Sequence, residues 1–299
     1  MSSQNRSALI TVVVGLVIGA LVALAGSQGG ATVGGVPVFG LAVAAAFLVQ
    51  VIVWIPSAIA RTERFFDATG SATFVLVTLG VVLLSPSPDA RSLALAAMVI
   101  VWAVRLGSFL FIRIHRSGSD DRFDAIKVAP LPFLRVWIMQ GLWVSITAAA
   151  AWIAIASGDQ RGLDVFAVIG IVVWFVGLLI EVVADVQKNA FKADSANKGR
   201  FIRTGLWSRS RHPNYFGEIL AWVGVAIVAA PVFEGWQWIG LLSPVFVILL
   251  LTRVSGVPLL EKKADKRWGG DADYEAYKTS TPVLVPLLVR PKSVKTASR

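Results

Sequence analysis

Two carboxylates, Glu181 and Asp185, are the first residues with an evident capacity for chemistry. They lie four residues apart in an apolar run. A four-residue spacing puts both carboxylates on one face of a helix, and Lys188 and Lys192 continue that face. Two ionised carboxylates side by side in a low dielectric repel each other, so we expect a cation or a hydrogen-bonding ligand opposite them. The two lysines fit this face equally well as side chains that extend to a membrane interface.

A strongly basic segment follows, with five Lys or Arg residues and no acidic residue between Lys198 and Arg211. Pro213 then suits the first turn of a helix, and a helix amino terminus carries free N–H groups that favour phosphate. Arginines beside such a terminus add paired donors for the same anion. The segment therefore predicts a pocket for a phosphorylated cofactor at the membrane surface. The alternative is a loop that contacts anionic lipid headgroups. Headgroup attraction does not account for three residues expected to face inward from the next helix, which are Asn214, Tyr215 and Glu218.

A third polar group surrounds a predicted helix interruption near the carboxyl terminus. Gly256 and Pro258 lie between Arg253 and Glu261, where they break an apolar helix as it leaves the bilayer. A broken helix frees backbone groups, which is tolerated where a cavity or a ligand satisfies them. The group is therefore a further candidate wall of a ligand pocket.

Other polar residues have simpler explanations. Glu63 and Asp67 lie at a predicted helix end and fit plain helix caps, and Tyr274 and Tyr277 fit an amphipathic tail. From the residues alone we assign these four no role. The chain has no cysteine, which excludes disulfides and thiolate metal sites, and we predict no metal site.

These residues must be positioned by helices that cross a bilayer. Of the 299 residues, 56% are hydrophobic and 15% are charged, and the mean hydropathy is +0.72. A helix needs about 20 apolar residues to span the hydrocarbon core. The clearest runs are 8–26, 36–60, 93–114, 132–156, 165–184 and 215–232, with shorter runs at 71–84 and 236–251. We therefore predict an all-α, polytopic transmembrane helical bundle of eight helices, with seven as the alternative.

The distribution of Lys and Arg predicts the orientation of this bundle. With the amino terminus inside, the outer loops hold only Arg91 and Arg161, as the positive-inside bias requires. Both termini and the longest polar segments then face the cytoplasm, where a soluble cofactor is available. The same bias accounts for the net charge of +10, so we expect no nucleic-acid partner. Arg6 and residues 23–25 also fit a cleaved signal peptide, which would leave seven helices.

Several stretches together resemble the steroid 5-alpha-reductase superfamily, and most closely its bacterial branch of membrane proteins. They are Glu181-Val-Val-Ala-Asp-Val-Gln-Lys, Gly205-Leu-Trp-Ser-Arg-Ser-Arg-His-Pro-Asn-Tyr-Phe-Gly-Glu, Val254-Ser-Gly-Val-Pro-Leu-Leu-Glu-Lys and a closing Tyr-x-x-Tyr. Phe66-Asp-Ala-Thr-Gly-Ser-Ala-Thr-Phe and Arg105-Leu-Gly also fit that branch. The resemblance divides the chain into amino-terminal transmembrane helices over residues 1–60 and a reductase-like membrane domain over 61–299, with the strongest match over 181–286.

This resemblance implies a seven-helix core with NADPH in a cytoplasm-facing cavity among the carboxy-terminal helices. It also implies hydride transfer to a carbon–carbon double bond conjugated to a carbonyl in a lipid or steroid-like enone. From the residues and the resemblance together, we expect cofactor contacts at Glu181, Asp185, Lys192, Arg200, Arg203, Arg211, His212, Asn214, Tyr215, Glu218, Arg253 and Glu261. Glu63, Asp67 and Tyr215 are the candidates for the acid or hydrogen-bond donor at the enone carbonyl.

Two alternatives remain open at this point. The Arg-His-Pro-x-Tyr-x-Gly stretch is also similar to isoprenylcysteine carboxyl methyltransferases, which bind S-adenosylmethionine, a cation without phosphate that has less need of the basic segment. The second alternative is a non-catalytic, lipid-binding membrane protein. The reductase interpretation places the chain in the bacterial inner membrane, with its site facing the cytoplasm and a hydrophobic enone as substrate.

Overall fold

The computed structural model describes residues 2–117, 123–159 and 161–287. Within these ranges the helices are α1 Ser3–Gly26, α2 Val38–Ile59, α3 Phe66–Leu84, α4 Ala90–Ser117, α5 Pro130–Ile155, α6 Val165–Ala193, α7 Pro213–Ala229, α8 Leu242–Leu249, α9 Gly256–Trp268 and α10 Ala272–Ser280. A short hairpin of β1 Thr32–Val33 and β2 Val36–Pro37 joins α1 to α2. Its two turn residues, Gly34 and Gly35, both have positive φ, as a tight two-residue hairpin turn requires.

Eight helical segments among the described residues are long and apolar enough to cross a membrane, which confirms the prediction of eight. They comprise α1 to α7 and a segment over Gly235–Trp268 that contains α8 and α9. Large apolar side chains on α6, among them Val165, Phe166 and Leu179, are more than half exposed, as expected where a helix faces lipid rather than water. The orientation of the termini remains a prediction.

Contacts divide the chain into two compact units. The first comprises Met1–Ile171 and Val225–Phe246, and the second comprises Val172–Gly224 and Val247–Arg299. The predicted boundary near residue 60 is a division of the sequence that these contacts do not test.

The core of the first unit is built around α5. In the part of α5 that could span a membrane, 89% of the residues are buried. A helix that is apolar on all sides can be enclosed by its neighbours in this way. Trp152, which has no exposed surface, donates its ring N–H to Thr78 Oγ1 at 2.9 Å, so the one polar atom of this side chain is satisfied in the core.

Arg91, predicted from charge bias to lie on the outer side, holds together three chain segments of the first unit. The residue is 2% exposed, and it donates to the carbonyl oxygens of Gly162 at 3.0 Å and Val228 at 2.6 Å. Its remaining nitrogen lies 2.8 Å from Asp164 Oδ2. A hydrogen bond from the Ala167 N–H, together with Arg91, holds the pKa of Asp164 below its usual value, so the ion pair stays intact at neutral pH.

Candidate functional site

The second unit is organised by a close crossing of α6 and α7 at two glycines. A Cβ added to Gly217 would lie 2.6 Å from both the Glu181 nitrogen and the Gly177 oxygen. A Cβ added to Gly177 would lie 2.5 Å from the Ala221 nitrogen. Both contacts are with backbone, so the two helices can approach this closely only because neither residue has a side chain.

This crossing brings together the polar residues predicted on the two helices. Asn214 Nδ2 in the first turn of α7 lies 3.3 Å from Asp185 Oδ1 near the end of α6. Glu181, one turn before Asp185, is 3% exposed, and Glu218 is partly buried one turn after Asn214. The predicted inward-facing face of α7 therefore meets the predicted carboxylate face of α6.

The basic segment after α6 is anchored to that helix by its own polar groups. Leu206 N–H donates to Gln187 Oε1 at 2.9 Å, and the Trp207 ring N–H donates to the Ala184 carbonyl at 3.0 Å. Gly205 has a φ of 61°, and a Cβ there would lie 2.5 Å from Gln187 Oε1. Glycine is therefore needed at this position both for its backbone conformation and for the approach of Gln187.

Arg211, His212 and Glu261 form one ion-paired group, in which two residues directly before α7 share a carboxylate on α9. Arg211 Nη1 pairs with Glu261 Oε2, and His212 Nε2 lies 2.7 Å from Glu261 Oε1. The three side chains are 12%, 6% and 21% exposed, respectively. Tyr215 stacks on His212, with ring centroids 5.7 Å apart and an interplanar angle of 11°.

Hydrogen bonds attach the last described residues to the segment that leads into α7. Arg211 N–H donates to the Pro282 carbonyl at 2.9 Å, and Leu287 N–H donates to the Arg209 carbonyl at 3.0 Å. Tyr277 on α10 donates its hydroxyl to the Trp207 carbonyl at 2.7 Å. Burial raises the pKa of the Tyr277 hydroxyl well above its usual value, so the donor keeps its proton across the neutral range.

These elements enclose a cavity of about 330 Å³, which we call the aromatic cavity. Its aromatic lining residues are Phe201, Trp207, Trp268, Tyr274 and Tyr277. Its charged and ionisable lining residues are Lys188, Lys192, Arg211, His212, Glu261, Lys263 and Arg267, together with both tyrosines. The rings of Phe201, Trp268 and Tyr274 are tilted or edge-on to one another, with interplanar angles between 40° and 76°. Aromatic surface beside several cations suits an anionic ligand that carries planar rings.

A second cavity of about 370 Å³ adjoins the first, and we call it the basic cavity. The two share Lys188, Lys192, Phe201, Ile202, Arg267 and Trp268 as lining residues. The basic cavity adds Lys198 and Arg200, against Asp194 as its acidic lining residue. Two of its lining residues are joined by a hydrogen bond, in which the Trp268 ring N–H donates to the Gly199 carbonyl at 2.6 Å. This excess of positive charge suits a phosphate or diphosphate group.

The predicted cofactor contacts fall into two sets in this geometry. The cavities are lined by Lys192, Arg200, Arg211, His212 and Glu261. The lining of neither cavity includes Glu181, Asp185, Arg203, Asn214, Tyr215, Glu218 or Arg253.

Most of this second set belongs to the polar group at the crossing of α6 and α7, but two arginines do not. Arg203 is half exposed and pairs with Asp273 at 3.1 Å. Arg253 is exposed in the π-helical turn Leu250–Val254, directly before the interruption predicted at Gly256.

The predicted catalytic candidates are divided between the units. Tyr215 belongs to the second unit, whereas Glu63 and Asp67 belong to the first. Glu63 is 4% exposed and accepts a hydrogen bond from Lys127 Nζ at 2.9 Å. Hydrogen bonds to Asp124 and then to Glu63 raise the pKa of Lys127 above its usual value. Asp67 lies in the first turn of α3, where an acidic side chain favours the helix end.

Sequence reasoning missed the residues that give the aromatic cavity its character. Trp207, Trp268, Tyr274 and Tyr277 received no role, although all four lie within the last third of the chain. The available signal was that Trp268, Tyr274 and Tyr277 lie close together in an otherwise polar tail. Within residues 2–117, 123–159 and 161–287, no group of three or more His, Asp or Glu side chains is arranged to hold a metal ion.

Comparison with known proteins gives the following matches. A family model described as "Protein of unknown function (DUF1295)" matches residues 53–281. Among curated proteins, the chain is 25% identical over 187 residues to an uncharacterised protein, C594.04c, of Schizosaccharomyces pombe, covering 51% of this chain and 54% of that one. It is 25% identical over 180 residues to steroid 5-alpha-reductase DET2 of Gossypium hirsutum, covering 59% and 62%.

A shorter match points toward a different chemistry. The chain is 28% identical over 90 residues to a protein described as "Probable O-methyltransferase ustE" of Ustilaginoidea virens, covering 30% of this chain and 32% of that one. The match spans less than two thirds of the length of each of these three relatives. No solved structure matches the chain significantly.

Proposed function

Because the chain belongs to the DUF1295 family, within the steroid 5-alpha-reductase superfamily, we propose that it is a membrane-embedded, NADPH-dependent reductase. The proposed substrate is a lipid or steroid-like enone, and the proposed reaction is reduction of its conjugated carbon–carbon double bond. The proposed location is the bacterial inner membrane, with the cofactor site open to the cytoplasm and the substrate arriving from the bilayer.

The observation that carries this proposal is the pair of adjoining cavities, one aromatic and partly lined by the motif segments, and one basic. A nicotinamide dinucleotide has planar rings joined through a diphosphate, and the two cavities offer surfaces of matching chemistry. Three polar atoms nearby are buried with no hydrogen-bond partner among the described residues, namely Arg211 Nε, His212 Nδ1 and Asn214 Oδ1. Buried polar atoms of this kind are rare in folded proteins and are expected where a ligand completes the hydrogen bonding. The residues present therefore fit a dinucleotide.

In this proposal the chain binds and orients, and NADPH, when bound, supplies the hydride. Lys192 and Arg200 hold phosphate oxygens, while Arg211 and His212, fixed by Glu261, orient the adjoining part of the cofactor. Asp185 and Asn214 keep α6 and α7 in register beside the cavities.

An enone carbonyl that gains negative charge needs a hydrogen-bond donor or an acid beside its oxygen. Tyr215 is our candidate within the second unit, because it stacks on His212, which lines the aromatic cavity. In the first unit Glu63 accepts a hydrogen bond from Lys127, so the proton of that pair resides on the lysine. Asp67 stays a candidate on its position at the start of α3.

A second candidate function is methyl transfer from S-adenosylmethionine, which the match to the O-methyltransferase-like protein favours. S-adenosylmethionine is a cation, so the basic cavity, lined by Lys188, Lys192, Lys198, Arg200 and Arg267, opposes its binding. A non-catalytic, lipid-binding role is the third candidate.

Thermal unfolding of the detergent-purified protein separates these candidates. A ligand that binds only the folded state raises its stability by mass action, so NADPH at about 100 times its Kd is expected to raise the Tm by about 5 °C. NADH and S-adenosylmethionine, at equal concentration, are expected to have smaller effects. Stabilisation by S-adenosylmethionine alone would support methyl transfer, and no stabilisation by any of the three would support the non-catalytic role.

A further inference from the structure

Lys188 lies in the wall shared by the aromatic and basic cavities, and no carboxylate among the described residues forms an ion pair with it. Its Nζ lies 4.6 Å from the centroid of the Trp207 ring, so the ammonium is held over an aromatic face. The side chain is partly buried and lines both cavities. It makes no hydrogen bond and no ion pair with any residue that the structure describes. The ammonium is stabilised by the Trp207 ring and by the charge of Asp185, but its N–H groups make no hydrogen bond to any described residue.

The charges around Lys188 strengthen this conclusion. Lys192, one turn later on α6, is a second cation at the same shared wall, and like charges at this spacing repel. Asp185, one turn earlier, already accepts a hydrogen bond from Asn214 at 3.3 Å. Glu261, the acidic residue lining the aromatic cavity, is held by Arg211 and His212. Asp185 offsets one of the two positive charges at most, since Asn214 is a neutral donor, so the wall keeps an excess of positive charge that favours an anion from outside the chain.

We propose that Lys188 is a specificity-determining residue that anchors the diphosphate of a nucleotide at the wall shared by the two cavities. The inference rests on the proposed dinucleotide cofactor and identifies which residue fixes its central, charged part. A diphosphate carries negative charge that Lys188 and Lys192 together neutralise. Its oxygen atoms also accept a charge-assisted hydrogen bond from the Lys188 ammonium, which otherwise lacks an acceptor. The Trp207 face orients the ammonium before the ligand arrives, which lowers the cost of binding.

The assignment also predicts that the pocket discriminates between cofactors. A ligand without phosphate leaves the two lysines facing each other in a partly desolvated wall, and a cationic ligand adds a third positive charge. Arg211 and Arg203, both predicted from sequence to contact phosphate, are instead neutralised by Glu261 and Asp273. Lys188 therefore takes over the role that the sequence assigned to those arginines.

The test compares Lys188→Met, which keeps the apolar stem over Trp207, with Lys188→Arg, which keeps the charge. Lys262→Met is the matched control, because Lys262 is exposed on α9 and lines neither cavity. Affinities for NADPH, ADP, adenosine and inorganic pyrophosphate are measured in phosphatidylcholine nanodiscs. Lys188→Met is expected to weaken NADPH, ADP and pyrophosphate binding about 10- to 100-fold, which corresponds to one charge-assisted hydrogen bond. Adenosine binding is expected to stay unchanged, Lys188→Arg to recover most of the ADP affinity, and Lys262→Met to match the unaltered protein.

The outcomes separate this inference from the proposed function. If ADP and pyrophosphate bind in a Lys188-dependent way but NADPH does not bind, the anion anchor stands and the reductase proposal fails. If NADPH binds equally well to the unaltered protein and to Lys188→Met, the reductase proposal stands and the anchor is wrong. If ADP affinity falls as phosphatidylglycerol is added to the nanodiscs, and this fall disappears in Lys188→Met, a lipid headgroup occupies the site and the nucleotide assignment is overturned.

Discussion

Replacing Gly217 with alanine is expected to lower the free energy of unfolding by about 3 kcal/mol, a large effect for a single methyl group. The added Cβ would lie 2.6 Å from backbone atoms of Glu181 and Gly177, which cannot move aside as a flexible side chain can. The helices α6 and α7 must separate instead. Separation displaces Asn214 from Asp185, so nucleotide binding is expected to be lost with the packing.

Denaturation of the purified protein by SDS in mixed micelles, followed by circular dichroism, measures this change in stability. Gly80→Ala is the matched control, since a Cβ at Gly80 in α3 meets no atom within 4 Å. That variant is expected to be as stable as the unaltered protein, or more stable by up to about 1 kcal/mol, from helix propensity. If Gly217→Ala behaved like Gly80→Ala, the close crossing of α6 and α7 would be wrong.

The substitution Glu261→Gln is expected to abolish cofactor binding and to lower the free energy of unfolding by about 2 to 3 kcal/mol, somewhat less than for a fully enclosed pair. Glutamine keeps the size of the side chain but removes the charge that Arg211 and His212 share. Arg211, which is 12% exposed, would then carry an unpaired charge in the wall of the aromatic cavity. Both residues lose the fixed orientation on which ligand contacts depend.

The same two measurements, binding of NADPH and SDS denaturation, apply to this variant. Asp273→Asn is its control, because the Asp273–Arg203 pair has side chains that are 59% and 52% exposed. Exposed ion pairs contribute about 0 to 1 kcal/mol, so this variant is expected to bind and unfold almost normally. Equal effects of the two substitutions would show that the ion-paired group of Arg211, His212 and Glu261 has no special role.

Hydropathy predicted the number of spanning helices because a bilayer demands long apolar runs, but it misplaced some of their ends. The third helix was predicted to begin near residue 71, whereas α3 begins at Phe66. Its first turns contain polar residues that a hydropathy window excludes. Thr69 and Thr73 satisfy their hydroxyls on carbonyls four residues earlier, each at 2.7 Å, which makes them compatible with an apolar surrounding.

The site was predictable to the extent that local spacing determines it. The helical spacing from Glu181 through Asp185 placed a polar face on α6, and the structure adds Asn214 from α7 to that face. Sequence gave no means of pairing Arg211 with Glu261, since the two are 50 residues apart and meet only through packing of α9. For the same reason the arginines were expected to be free for phosphate, and Lys188 could not be distinguished from an interfacial lysine.

The proposed reductase function is tested most directly by following deuterium from NADPH labelled at the transferable position of its nicotinamide ring. The purified protein is incubated with this cofactor and a panel of lipid enones, and the products are analysed by mass spectrometry. We expect a saturated ketone that carries one deuterium on the former alkene carbon, and no such product from Glu261→Gln. Products without deuterium across the panel, together with transfer of a labelled methyl group from S-adenosylmethionine, would contradict the reductase function and establish methyl transfer.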